Sequence, residues 1–73
     1  MDIMGNLSPA ERRVVELLGL GMSQKKIAEV LGLSMRTVYV HVQNARRKAQ
    51  CADTFQLAVK TAVQSEMRRR GIV

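Results

Sequence analysis

At 73 residues, with 12 Lys plus Arg against 6 Asp plus Glu, the chain is one small domain carrying a net charge of +6, too short for two. Its 47% apolar and 25% charged composition is that of a folded globular chain, no apolar run reaches the roughly 20 residues of a membrane span, and no secretory-signal pattern opens it. A single cysteine, Cys51, and a single histidine, His41, exclude an internal disulfide, argue against a structural zinc site and make the reducing cytoplasm the expected compartment, while the positive charge points to a polyanionic partner: nucleic acid first, an acidic membrane surface second.

The first helix is predicted to start at Leu7-Ser8-Pro9-Ala10-Glu11. Ser8 suits the N-cap, Pro9 the first helical position, and Glu11 sits three residues after the cap to complete a capping box. Val14, Val15, Leu17 and Leu18 form its apolar face, and Gly19 and Gly21 stop it. A second helix follows the cap Ser23, with Ile27, Ala28, Val30 and Leu31 as its expected buried set and Gly32 as its end. Leu33 is expected to pack inward and Ser34 to cap a third helix. Only Gly32, Leu33 and Ser34 separate the two, and so short a connection containing Gly is the signature of a helix-turn-helix, here spanning about 24–49.

The third helix is predicted from about 35 to 49. Val38, Val42 and Ala45 fall on one inward stripe, which leaves Arg36, Tyr39, Val40, Gln43 and Arg47 facing outward. Solvation alone would favour Lys and Glu on such a face. This one offers a donor-acceptor amide, two groups with apolar surface, and cationic flanks. Charge gathers in the same region: Lys25, Lys26, Arg36, Arg46, Arg47 and Lys48 face only Glu29 between residues 23 and 50. After a link over 50–53, Thr54 is expected to cap a fourth helix reaching about 70, with Gly71 as its stop. Phe55, Ala58, Val59, Ala62, Val63 and Met67 make an apolar stripe over about half its circumference, wider than one core contact requires. Glu66 falls within that stripe. The fourth helix is therefore expected to serve two surfaces, the three-helix body and a second copy of the chain.

The segments Leu7-Ser8-Pro9-Ala10-Glu11-Arg12-Arg13-Val14-Val15-Glu16-Leu17, Gly21-Met22-Ser23-Gln24-Lys25-Lys26-Ile27-Ala28 and Leu33-Ser34-Met35-Arg36-Thr37-Val38-Tyr39-Val40-His41-Val42 resemble the DNA-binding domain of LuxR-type (GerE/FixJ/NarL-type) transcription regulators over roughly residues 7–62. The resemblance implies an all-α, four-helix helix-turn-helix domain whose third helix enters the major groove and whose fourth dimerises; the whole chain is read as this one domain, with a C-terminal helix longer than the family's usual one. It places Tyr39, Val40 and Gln43 at base-facing positions and Lys25, Ser34, Thr37 and Lys48 at backbone-contact positions. Lys26 stands where the family usually has Glu, and we read it as an added phosphate contact, with Arg36 and Arg47 flanking. Gln50 replaces the usual Gly after the third helix. Phe55, Val59, Ala62, Val63 and Met67 are the expected dimer residues. Only six residues precede Leu7, so the expectation is a freestanding domain without a sensor, regulated by abundance or by a partner protein.

The expected function is thus a small, sequence-specific, homodimeric DNA-binding transcription regulator that needs no cofactor or metal. Two readings compete with it: a promoter-binding module like the fourth region of sigma factors, which Asn44-Ala45-Arg46-Arg47-Lys48 also resembles and which would act beside RNA polymerase, and a helical adaptor that binds another protein through residues 54–70. No nucleophile–base pair supports an enzyme. His41 is expected to be a packed, hydrogen-bonded side chain, and Cys51 a small buried hydrophobe.

Overall fold

A computed structural model describes residues 3–71; Asp2, counted in the charge above, lies outside them. A short 3-10 turn, Ile3–Asn6, leads into four α-helices: α1 (Pro9–Gly19), α2 (Gln24–Leu31), α3 (Met35–Lys48) and α4 (Thr54–Arg69). No strand occurs among the described residues, as expected for the four-helix fold.

Each helix starts where a short polar side chain satisfies an otherwise orphaned backbone N–H. Ser8, Ser23 and Ser34 all sit in extended backbone and accept from the N–H three residues on. At α1 the capping box is complete, because the Ser8 N–H donates to Glu11 Oε1 at 3.0 Å while the Glu11 N–H donates to Ser8 Oγ at 3.1 Å. The start of α4 differs from expectation. Asp53, not Thr54, is the cap: its Oδ1 accepts from the Gln56 N–H at 2.8 Å, and Thr54 is already helical. Gln56 reaches back to accept from the Ala52 N–H at 2.6 Å. A carboxylate accepts more strongly than a hydroxyl, and the Asp-x-x-Gln spacing gives both ends a partner.

The helix ends are as local as the starts. Gly32 closes α2 in the left-handed region at φ 67°, where a side chain is disfavoured, and the Leu33 N–H folds back onto the Ala28 carbonyl at 2.9 Å. That bond turns the chain sharply enough for Ser34 to start α3 at once. The end of α3 has the same shape without the glycine. Gln50 takes φ 56°, while the Cys51 N–H bonds the Arg46 carbonyl at 3.0 Å and the Gln50 N–H the Arg47 carbonyl at 3.1 Å, the paired bonds of a Schellman stop. Holding an L side chain there costs about 1–2 kcal/mol. Glycine removes that cost but loses more entropy on folding, by about 0.5–1 kcal/mol. Gln50→Gly is therefore expected to stabilise the fold by about 0.5–1 kcal/mol in urea unfolding, and a lower midpoint would contradict this account.

The core gathers the inward stripes. Val14, Val15, Ile27, Val38, Val42, Ala45 and Leu57 have no exposed surface, and Leu7, Leu18, Ala28 and Cys51 are buried around them. α1 lies at the centre, packed against both α3 and α4. It approaches α4 closely at Gly19, where an added Cβ would stand 3.1 Å from Thr61 Cγ2.

Three expectations about packing are corrected. Val30 is 52% exposed and Leu33 lies on the surface rather than in the core: α2 is only eight residues long, and Ile27 and Ala28 already fill its contact with the body. On α4 the inward residues are Leu57 and Thr61, neither of them in the expected stripe. Phe55 and Val59 stand two residues either side of Leu57, about 200° around the helix from it, so they face away from the body with Ala62, Val63 and Met67, while Ala58, next to Leu57, is half-buried against the core. Thr61 is buried without penalty because its Oγ1 donates to the Leu57 carbonyl at 2.8 Å.

Candidate nucleic-acid interface

The outer face of α3 is built from its own periodicity. With Val38, Val42 and Ala45 locked inward at zero exposure, the roughly 100° step of the helix sends Arg36, Tyr39, Val40, Gln43 and Arg47 to the other side. Tyr39 is 55% and Val40 42% exposed. Arg36 and Arg47 are exposed, Thr37 and Gln43 half-buried. Met35, which the sequence pattern does not single out, is 51% exposed one turn before Tyr39 and extends the apolar part of this face.

Charge at the helix starts is placed against local stability. Neither α2 nor α3 has an acidic residue in its first turn; instead Lys25 and Lys26 open α2 and Arg36 opens α3. A cation beside the positive end of a helix dipole is disfavoured by about 0.3–1 kcal/mol. All three are exposed, and among the described residues Lys26 has Glu29, 4.0 Å away, as a partial counterion. By contrast α1, remote in sequence from the turn, carries Glu11 in its first turn, as the dipole prefers. α4, also outside the unit, has no acidic residue in its first turn but is capped by the carboxylate of Asp53, so α2 and α3 are the helices that start with basic side chains and a serine cap. Ser34 and Thr37 complete the start of α3: the Thr37 N–H donates to Ser34 Oγ at 3.0 Å, and the Ser34 hydroxyl donates to Thr37 Oγ1 at 2.9 Å.

The basic C-terminal part of α3 is more constrained than the sequence implies. Lys48 Nζ donates to Glu11 Oε1 at 2.7 Å across 37 residues, which joins α3 to the first turn of α1. The Lys48 hydrogen bond is the main reason the Glu11 carboxyl, 7% exposed, is held below the usual carboxylate range, with the Ser8 N–H and Oγ assisting against the desolvation that opposes it. Arg46 and Arg47 bend back to Gln43 and Asn44 through hydrogen bonds one turn away. Sequence reasoning does not mark Asn44 or Arg46 as site residues; the signal that could have found them is the repeated amide-to-arginine spacing of three.

Phe55 at 77%, Val59 at 44%, Val63 at 51% and Met67 at 40% exposure, with exposed Ala62, form a second surface on α4. Glu66 lies among them and is paired with Arg69 and Arg70, whose hydrogen bonds lower its pKa, Arg69 first. His41 is half-buried and lines a cleft with Pro9, Ala10, Arg13, Leu31 and Leu33. Its packing is as expected, but no hydrogen bond reaches its ring among the described residues. Cys51 is buried, as expected. No helix is long and apolar enough to cross a membrane among the described residues.

Residues 5–61, most of the chain and all of the helix-turn-helix unit, match the family model described as GerE: bacterial regulatory proteins, luxR family. The chain belongs to the LuxR family. Members of this family are DNA-binding transcription regulators. No curated protein and no solved structure gave a significant match to the chain.

Proposed function

We propose that this LuxR-family domain is a sequence-specific regulator that binds duplex DNA as a homodimer in the bacterial cytoplasm, with α3 in the major groove. The observation that carries the reading is the outer face of exposed Tyr39 and Val40 with half-buried Gln43, beside exposed cations at the first turns of α2 and α3. A major groove about 12 Å wide admits one helix. Lys25, Lys26, Arg36 and Arg47 supply charge for phosphates, with Ser34 and Thr37 as uncharged contacts at the start of α3. Lys48 keeps two further N–H donors for a phosphate while it braces Glu11. Phosphate contacts set affinity and register; Tyr39, Val40 and Gln43 discriminate bases.

For the second half of the reading, the exposed Phe55, Val59, Ala62, Val63 and Met67 face supports α4 pairing with a second copy. A monomer of 73 residues has little reason to leave so many apolar side chains in water on one helix. Two copies would then read half-sites about 10 base pairs apart, centre to centre.

Selection of bound fragments from random duplexes tests both halves together. The expected result is a paired motif with that spacing. Enrichment of no motif at all removes the specific-regulator reading. A single unpaired motif, with a strict monomer in sedimentation at high micromolar concentration, removes the homodimer and favours the sigma-like module.

A further inference from the structure

Gln43 does not stand free on the outer face of α3. Its Oε1 accepts a hydrogen bond from Arg46 Nε at 3.0 Å, and Arg46 Nη1 donates to the Cys51 carbonyl at 3.1 Å. Cys51 is itself buried, and its own N–H bonds the Arg46 carbonyl at 3.0 Å. The guanidinium is therefore pinned to the link between α3 and α4 and is held from both ends. This explains why Gln43 and Arg46 are half-buried while Tyr39 and Val40 beside them are exposed. A guanidinium has donors and no acceptor. It can meet the oxygen of an amide but not its NH2, so chemistry decides which end of Gln43 faces Arg46.

We propose that Arg46 is a positioning residue that orients the Gln43 amide so that its two N–H donors lead into the groove, giving the protein a preference for guanine at the base Gln43 faces. The inference rests on the base-reading role given to Gln43 above. An unrestrained glutamine pairs with adenine, donating to N7 and accepting from N6. Here one lone pair of the oxygen is taken by Arg46, and that bond both aims the amide and, coming from a cation, weakens the oxygen as an acceptor for N6. Flipping the amide would set NH2 against a guanidinium and leave Nε–H without its acceptor. Guanine presents N7 and O6, both acceptors, and asks only for donors. Thymine offers one acceptor in O4, and cytosine only a donor, so cytosine ranks last.

The test is a base-substitution profile of the selected site for the full chain and for Gln43→Ala, Arg46→Met and Lys60→Met, the last removing an equal charge from exposed α4. Beside it, ¹⁵N relaxation of side-chain amides is measured in the free proteins. The expected result is a guanine preference that disappears in Gln43→Ala, falls roughly 10-fold relative to adenine in Arg46→Met, and persists in Lys60→Met. In relaxation, the Gln43 amide of the unaltered chain is ordered like the backbone, and Arg46→Met releases it to the mobility of exposed Gln50. A guanine preference unchanged in Arg46→Met overturns the positioning role alone. A profile unchanged in Gln43→Ala overturns the base-reading role of Gln43 and the guanine preference with it. A Gln43 amide as mobile as Gln50 in the unaltered chain overturns the anchoring itself. Should Arg46→Met fail to fold, Arg46→Lys takes its place, because an ammonium cannot span both Gln43 Oε1 and the Cys51 carbonyl in one planar fork.

Discussion

Lys25→Glu combined with Arg36→Glu is expected to lower duplex affinity at least about 100-fold at moderate salt and to reduce the slope of log K against log salt by about 2, since each phosphate contact contributes about 0.9 to that slope. The two residues occupy the same place in consecutive helices, the second position of α2 and of α3. Both are exposed. The folded protein should not suffer, because a carboxylate in the first turn of a helix is favoured by the same dipole that disfavours a cation. Thermal denaturation at low salt should therefore show the double variant as stable as the unaltered chain, or slightly more so. Loss of binding with gain of stability is a combination that a purely structural role for these cations does not allow. An unchanged salt slope, measured by titration of a labelled duplex over a range of salt concentrations, would rule out phosphate contact at both positions.

Lys48→Met is expected to cost about 2 kcal/mol at neutral pH, the contribution of a hydrogen bond to a charged group that is otherwise left in a poorly solvated site. That corresponds to roughly 10 °C in Tm for a domain this small. Glu11 is almost wholly buried, whereas Lys48 is 43% exposed, so the loss stays below the roughly 3–5 kcal/mol typical of breaking a fully buried pair. The pH dependence has a definite sign. Because Lys48 and Ser8 hold the folded carboxyl of Glu11 below its ordinary 4.5, Glu11 contributes stability at pH values above that ordinary pKa. The contribution fades as pH falls below about 4.5 and is gone once the folded carboxyl is protonated. The gap in Tm between Lys48→Met and the unaltered chain should accordingly be full at about pH 7 and narrow steadily below about pH 4.5. An equal gap at about pH 7 and about pH 3 would show that Lys48 acts through its aliphatic stem rather than through its charge.

The pair also separates two tasks that a reading of charge alone merges. Lys48 belongs to the basic end of α3 by position, yet its nearest partner is inside the protein. The bond ties the start of α1 to the end of α3 and so fixes the base on which the outer face of α3 is displayed. α4 closes the same body through Leu57 and Thr61 while turning Phe55, Val59 and Val63 outward. The surface proposed for DNA and the surface proposed for a second copy therefore lie on different helices, and a substitution in one need not disturb the other.

What the amino-acid sequence by itself determines in this protein is local. Ser8, Ser23 and Ser34 announce helix starts because a hydroxyl reaches an N–H only three residues away, and Gly32 marks the turn because few other residues take its backbone angles cheaply. The inward stripe Val38, Val42, Ala45, and with it the outward Tyr39 and Val40, follows from the pitch of one helix. The cap at Asp53 obeys the same logic, but the neighbouring Thr54 is an equally plausible cap, and one turn of sequence does not choose between them. Three features are decided by the packed molecule. Which side of α4 is core depends on its packing against α1, where Thr61 lies so near Gly19 that an added Cβ would stand 3.1 Å from its Cγ2. The bond from Lys48 to Glu11 spans 37 residues and exists only once α1 and α3 are packed together. The direction of the Gln43 amide depends on Arg46, and Arg46 on where the chain turns at Cys51. Periodicity and capping act over one turn of helix and are written in neighbouring residues, whereas the choice between two comparably apolar faces and the aim of a single polar group are settled by atoms that the folded chain brings from elsewhere.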